Sequence, residues 1–160
     1  ILVFLSIILT DCKIYSFTGA SISPETKTFS VEYFQNNAPI ASPSLSNNLT
    51  EKLKQRFLNQ TQLKYTNSNG DLQFKGYISN YSITPIAIQS NETAAMNRLT
   101  ISVFVEFYNQ QDPKYNFQTT FSRYEDFNSN IDFSSIEESI NEKIIDYIID
   151  DIFNKSVVNW

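Results

Sequence analysis

Residues 99–107 read LTISVFVEF, and their alternation decides the fold class. Leu99, Ile101, Val103, Val105 and Phe107 recur at every second position, which places them on one side of an extended chain. Residues 109–114 (NQQDPK) read as a turn, and Tyr115, Phe117, Thr119 and Phe121 alternate again. The two runs predict an antiparallel hairpin. Just upstream, residues 63–66 and the alternating Leu72, Phe74, Gly76 and Ile78 flank Asn67-Ser68-Asn69-Gly70-Asp71. Asn and Gly tolerate positive φ, so this pair also reads as a hairpin. Its second strand is extended through Tyr81 and Ile83, with Pro85 marking an edge or a bulge. Residues 89–97 are polar and read as a loop.

Outward from these hairpins the period changes to that of a helix. Ile136, Ile140, Ile144, Ile148 and Ile152 repeat every four residues, beside a second row of Ile145, Ile149 and Phe153. That broad apolar face suits a helix covering a sheet. Residues 133–135 with Glu137 and Glu138 read as its acidic, capped start. Near the other end of the chain, Leu45, Leu49, Leu53 and Phe57 have the same spacing and predict a helix from about Pro43 to Gln60. Ser42 or Ser44 is its candidate cap, and Lys52, Lys54 and Arg56 lie on its polar face. Residues 27–34 alternate as a first strand, and 35–44, with two prolines, read as a loop. The expected fold is α+β, a two-layer sandwich with two helices on one face of a mixed four- or five-stranded sheet.

Composition narrows the function. The 160 residues include no His and one Cys, which excludes a Ser-His-Asp triad, a Cys-His dyad and a His-ligated zinc. Three glycines cannot build a phosphate-cradling loop. The formal charge is −5, a poor footing for nucleic-acid binding, which draws on clustered basic residues. The charge is also uneven. Residues 13–123 carry ten Lys/Arg against seven Asp/Glu, and residues 124–160 carry two against nine.

The first nine residues, ILVFLSIIL, are too short to span a bilayer as a helix and match a signal-peptide apolar core. The lone cysteine follows at Cys12. Leu9-Thr10-Asp11-Cys12 is similar to a bacterial lipobox, with Asp11 where a small residue is usual. Residues 1–11 are therefore expected to be the later part of a signal peptide. Residues 12–160 are expected to be one periplasmic domain, lipidated at Cys12.

Three features are candidates for chemistry. Glu138, Glu142, Asp146 and Asp150 stack along one helix face. A straight helix supplies neither the turned backbone of a calcium loop nor a glycosidase cleft. The stripe therefore reads as solvated, or as facing a basic partner such as Lys52, Lys54 and Arg56. Tyr15, Tyr65, Tyr77, Tyr81, Tyr108 and Tyr124 could stack on a ligand from a sheet's open face, or reflect β propensity alone. Lys75 and Arg98 fall on the polar face of their strands, where they could meet phosphate groups. No metal site or cofactor is expected.

The stretch CKIYSFTGASISPETKTFSVEYFQNNAPIASPSLSNNLTEKLKQRFL resembles the start of the LptE-like lipopolysaccharide-assembly lipoproteins of the Bacteroidetes. NSNGDLQFKGYISNYSITPIAIQSNETAAMNRLTISVFVEFYN, FSRYEDF and the closing DDIFNKSVVNW fit the same family. The resemblance implies a non-enzymatic lipoprotein on the periplasmic face of the outer membrane. Its partner would be the β-barrel LptD, which it plugs and helps to assemble in lipopolysaccharide transport. Cys12 is the residue that carries over from the family pattern. An unrelated periplasmic lipoprotein binding a small ligand or a cell-wall component is the alternative.

Overall fold

The computed structural model describes residues 22–39, 42–86 and 95–158. The signal segment, Cys12, Tyr15 and most of the 89–97 loop lie outside them. The elements are β1 (Thr28–Val31), β2 (Gln35–Asn36), α1 (Pro43–Gln60), β3 (Lys64–Tyr65), β4 (Leu72–Ile86), β5 (Met96–Asn109), β6 (Phe117–Asn128) and α2 (Phe133–Phe153). A 3-10 turn at Pro113–Tyr115 precedes β6, and a π-helical turn at Asn154–Val158 follows α2. The fold is α+β, with two helices and one mixed sheet of six strands. That is more than the four or five expected: β3 falls within the short strand expected at 63–66, and β2 is the addition, a two-residue strand without a periodicity of its own.

The hairpin of β5 and β6 forms as expected, pairing from Met96↔Asn128 to Phe107↔Phe117. The hairpin expected between β3 and β4 does not. β1 lies between them, parallel to both, in the order β3-β1-β4-β5-β6. Long-range bonds override the local turn signal. The Asp71 carboxylate accepts from the backbone N–H of Lys27 (2.8 Å) and Thr28 (2.9 Å) and from Thr28 Oγ1 (2.9 Å). Gly70 N–H donates to Ser30 Oγ at 3.2 Å. A Cβ on Gly70 would stand 2.5 Å from the Phe29 carbonyl carbon. The segment after β3 therefore crosses over β1, and only glycine lets it lie that close.

The expected strand over 27–34 is interrupted. Phe29 and Val31 face the core, but Phe34 breaks the period of two and is also fully buried. Its N–H donates to Thr50 Oγ1 on α1 (3.1 Å) instead of to the sheet. Beyond it the chain returns to β4 as β2, through Gln35↔Tyr77 and Asn36↔Ile78, so the expected loop over 35–44 begins two residues late. β4 runs on through Tyr81 and Ile83, with its bulge between Ile78 and Asn80. The bulge shifts the phase, so Tyr81 faces the core although Ile78 does too. Pro85 sits past β2, where β4 is an edge among the described residues.

Helices and sheet share one core. Phe57 of α1 lies against Phe29, Phe74 and Phe153, with ring centroids 5.4, 4.7 and 5.1 Å apart. Ile144, Ile148 and Ile152 of α2 are buried, as are Leu45, Leu49 and Leu53 of α1. Both helices begin near the expected residues but are capped differently. Ser42 stands at the N-cap of α1, yet its hydroxyl bonds to Ser44 Oγ (2.8 Å) and not to the backbone. α2 is capped by Asp132, which accepts from Ser134 N–H (3.3 Å) and Ser134 Oγ (2.7 Å). The outer strand β6 turns Arg123 and Glu125 toward α2, where they pair with Asp151 (2.6 Å) and Lys143 (3.0 Å). Inward-facing charges of this kind discourage further strand pairing at an edge.

Candidate functional site

The helix-free face of the sheet carries both candidate cations. Lys75 lies opposite Glu106 on β5, and Arg98 lies eight residues back along the same strand, opposite Asp126 on β6. At about 3.3 Å per residue they are roughly 26 Å apart, so they do not form one site. Each is already paired. Lys75 Nζ is 2.8 Å from Glu32 Oε1, and that bond raises the lysine's pKa. Arg98 grips Asp126 with two parallel bonds, 2.7 and 2.8 Å, and its guanidinium lies 3.7 Å from the Tyr124 ring centroid. The bond from Arg98 lowers the Asp126 pKa. A phosphate reaching either cation would displace its carboxylate. The Asp126 partner lies beyond Phe121, where the expected strand stopped; the observed hairpin runs on and brings residues 98 and 126 opposite each other. The Glu32 partner was not legible, because nothing local brings β1 to β4.

Between these two pairs the face is uncharged. Tyr77 and Phe104 stack at 5.2 Å, and Ser102 Oγ shares a hydrogen bond with Ser122 Oγ at 3.0 Å. Tyr77, Tyr108 and Tyr124 are exposed on this face. Tyr81 is not. It is buried against α2, its hydroxyl donating to Glu137 Oε1 and Asn141 Oδ1, both at 3.1 Å. Burial there raises its pKa, so it stays a neutral donor. Tyr65 packs edge-on against Phe29.

The acidic stripe on α2 divides in two. Asp146 pairs with Lys52 (2.7 Å) and Asp150 with Arg56 (2.6 Å), so α1 neutralises the lower half. Lys54 turns instead to Glu51 on its own helix (2.7 Å). Glu138 and Glu142, in the upper half, have no cation partner among the described residues. They line an open groove of about 570 Å³ between the helices, with Ser44, Asn48 and Glu51. Among the described residues no group of three or more side chains could hold a metal ion. A second open hollow, of about 530 Å³, is lined by Gln73, Lys75, Tyr108 and Asn116.

The residue that sequence reasoning missed is Asp71. Its carboxyl is held below the usual carboxylate range by the hydrogen bonds from Lys27 and Thr28. It fixes the entry to β1 and β4, and its place in a turn gave no sign of that.

Comparison with known proteins agrees with this fold. The family model LptE, described as lipopolysaccharide-assembly, matches residues 26–156. A minor lipoprotein from Acinetobacter baumannii has 16% identity and a TM-score of 0.52, over 81% of this chain and 91% of its own. A neuraminyllactose-binding hemagglutinin homologue from Helicobacter pylori has 10% identity and a TM-score of 0.58, over 88% of each chain. At such identities the likeness is one of fold. Comparison with curated proteins by sequence finds no match.

Proposed function

We propose that this chain, which belongs to the LptE family of lipopolysaccharide assembly, works as a lipid-anchored plug and folding partner of an LptD-like β-barrel. The family is non-enzymatic, and its work is at the outer membrane. The observation that carries the reading is the family match over residues 26–156. The body supports the plug role. A barrel lumen is lined by polar side chains, so an occupant needs a rigid frame and a polar surface. Here one core joins both helices to the sheet, and among the described residues eight ion pairs tie down most of the surface cations. Among the described residues no helix is long and apolar enough to cross a membrane. We assign attachment to lipid on Cys12, the lone cysteine after the apolar run, where more than one acyl chain would be needed for a stable hold. Lys75 and Arg98 are the proposed contacts for lipopolysaccharide phosphates, each by exchanging its carboxylate for the phosphate.

The test is depletion. Folded barrel and surface lipopolysaccharide are expected to fall together, and normal levels of both after depletion would refute the reading. Cys12→Ala is expected to move the protein to the soluble periplasm in cells lacking the barrel. Lys75→Ala with Arg98→Ala is expected to weaken binding to purified lipopolysaccharide, and unchanged binding removes both residues from the site.

A further inference from the structure

We infer that the helix-free face of the sheet, centred on the uncharged band across β4, β5 and β6, seats against the inner wall of the partner barrel. This rests on the plug reading above and adds the surface that performs it.

Two large faces are available, and they differ in what burial would cost. The helix side exposes Glu138 and Glu142 without a cation among the described residues. Desolvating unpaired carboxylates against a wall is strongly unfavourable. On the sheet face Lys75 pairs with Glu32 and Arg98 with Asp126, Glu106 beside Lys75 accepts from the Tyr108 hydroxyl at 3.2 Å, and these groups lie at the two ends of the band. Between them one ladder row is Tyr77, Phe104 and Thr120, and another is Ser82, Thr100 and Tyr124. Aromatic rings set among small hydroxyl side chains supply anchors and adaptable hydrogen bonds. Aromatic enrichment with charge depletion is the signature of an interface centre. The chemistry matches a barrel interior, where polar residues alternate inward along every strand.

Size agrees as well. Three strands spaced about 4.8 Å, with twelve paired residues rising about 3.4 Å each, give a footprint of roughly 600 Å². β1 and β2 extend it toward the roughly 800 Å² per partner of a stable interface. The edge beyond β6 is blunted by its inward charges, so contact by the flat face is favoured over strand addition.

The experiment places a photo-crosslinking amino acid in the full lipoprotein in cells, at Thr100 or Ser122 on the sheet face and at Glu142 or Tyr147 on α2. Adducts are identified by mass spectrometry. Barrel adducts from the sheet positions are expected to exceed those from α2 by about tenfold. Equal or greater yield from α2 overturns the inference, as do sheet-face adducts to a second copy of this chain or to glycolipid in place of adducts to the barrel. The plug reading survives those outcomes provided the barrel copurifies. If no barrel copurifies with the unsubstituted protein, both fail. Ser102→Arg gives an independent check, placing an unpaired charge in the band. It is expected to cut barrel copurification at least tenfold with an unchanged urea midpoint for the isolated chain. Full copurification of Ser102→Arg overturns the inference.

Discussion

Phe57→Ala would test whether α1, α2 and the sheet share a single core. Phe57 is fully buried, and its ring meets Phe29 of β1, Phe74 of β4 and Phe153 of α2. Truncating a buried Phe costs about 3–5 kcal/mol through lost transfer energy and the cavity left behind. Three neighbouring rings cannot all close such a cavity, so a loss near the upper end, about 4–5 kcal/mol, is expected. Phe57→Leu keeps most of the volume and replaces the ring contacts by aliphatic ones, so much less is lost. Its expected loss is about 1–2 kcal/mol. Urea unfolding of the purified chain followed by circular dichroism reads both. With a slope of about 2 kcal/mol per molar, the Ala midpoint should fall by roughly 2 M and the Leu midpoint by less than 1 M. A loss below about 1 kcal/mol for Phe57→Ala would show that the four rings do not form a shared core. Equal losses for Ala and Leu would show that volume is not the term that decides.

Other perturbations separate other parts of the fold. Ile144→Ala removes a fully buried residue of α2 and should cost about 2–5 kcal/mol; a variant as stable as the parent contradicts the packing. Gly76→Ala would drive a methyl into the Phe104 carbonyl oxygen and the Phe34 ring, with an expected loss of about 2 kcal/mol by the same urea assay. Asp71 has a carboxyl pKa lowered in the folded state, so its contribution is present above the unfolded value near 4 and is lost as pH falls through the lower folded value. Asp71→Asn should therefore cost about 1–2 kcal/mol at pH 7, discounted for partial exposure. Its stability should also fall less steeply than the parent's below about pH 4; an unchanged acid limb removes Asp71 from that role.

The parts of this fold that were legible in the sequence are those whose burial repeats along the chain. β5 shows every second residue to the core, and α2 every third or fourth, so each reports its own environment. The expected bounds of α1 coincide with the observed Pro43–Gln60 for the same reason. What stayed hidden was decided between residues far apart. Asn69 adopts a positive φ, as a hairpin turn would ask, but the chain does not turn back. Whether it turns back or crosses over depends on Asp71 and Gly70 meeting residues 27–30, about forty positions earlier. Phe34 reads as one more member of an alternating strand, and only Thr50 on α1 explains why it leaves the ladder. The face of Lys75 followed from alternation, but its partner did not, because Glu32 comes from a strand inserted by that same crossover.

The uneven charge of the chain is resolved within the molecule. Four acids of residues 124–160 are matched by cations of residues 13–123: Asp126 by Arg98, Asp146 by Lys52, Asp150 by Arg56 and Asp151 by Arg123. Each such exposed pair contributes at most about 1 kcal/mol to stability, so the pairing matters more for what it leaves over. The sheet face is left with its cations spent and a neutral centre, whereas the groove between the helices keeps Glu138 and Glu142 unmatched among the described residues. One side of the body is thus far easier to desolvate than the other. For a protein whose family works by assembly and not by turnover, that difference between faces is the feature a partner can read. It is set by which α2 carboxylates α1 reaches, because Lys52 and Arg56 fall one turn apart while Asn48 and Ser44, one and two turns earlier, carry no charge.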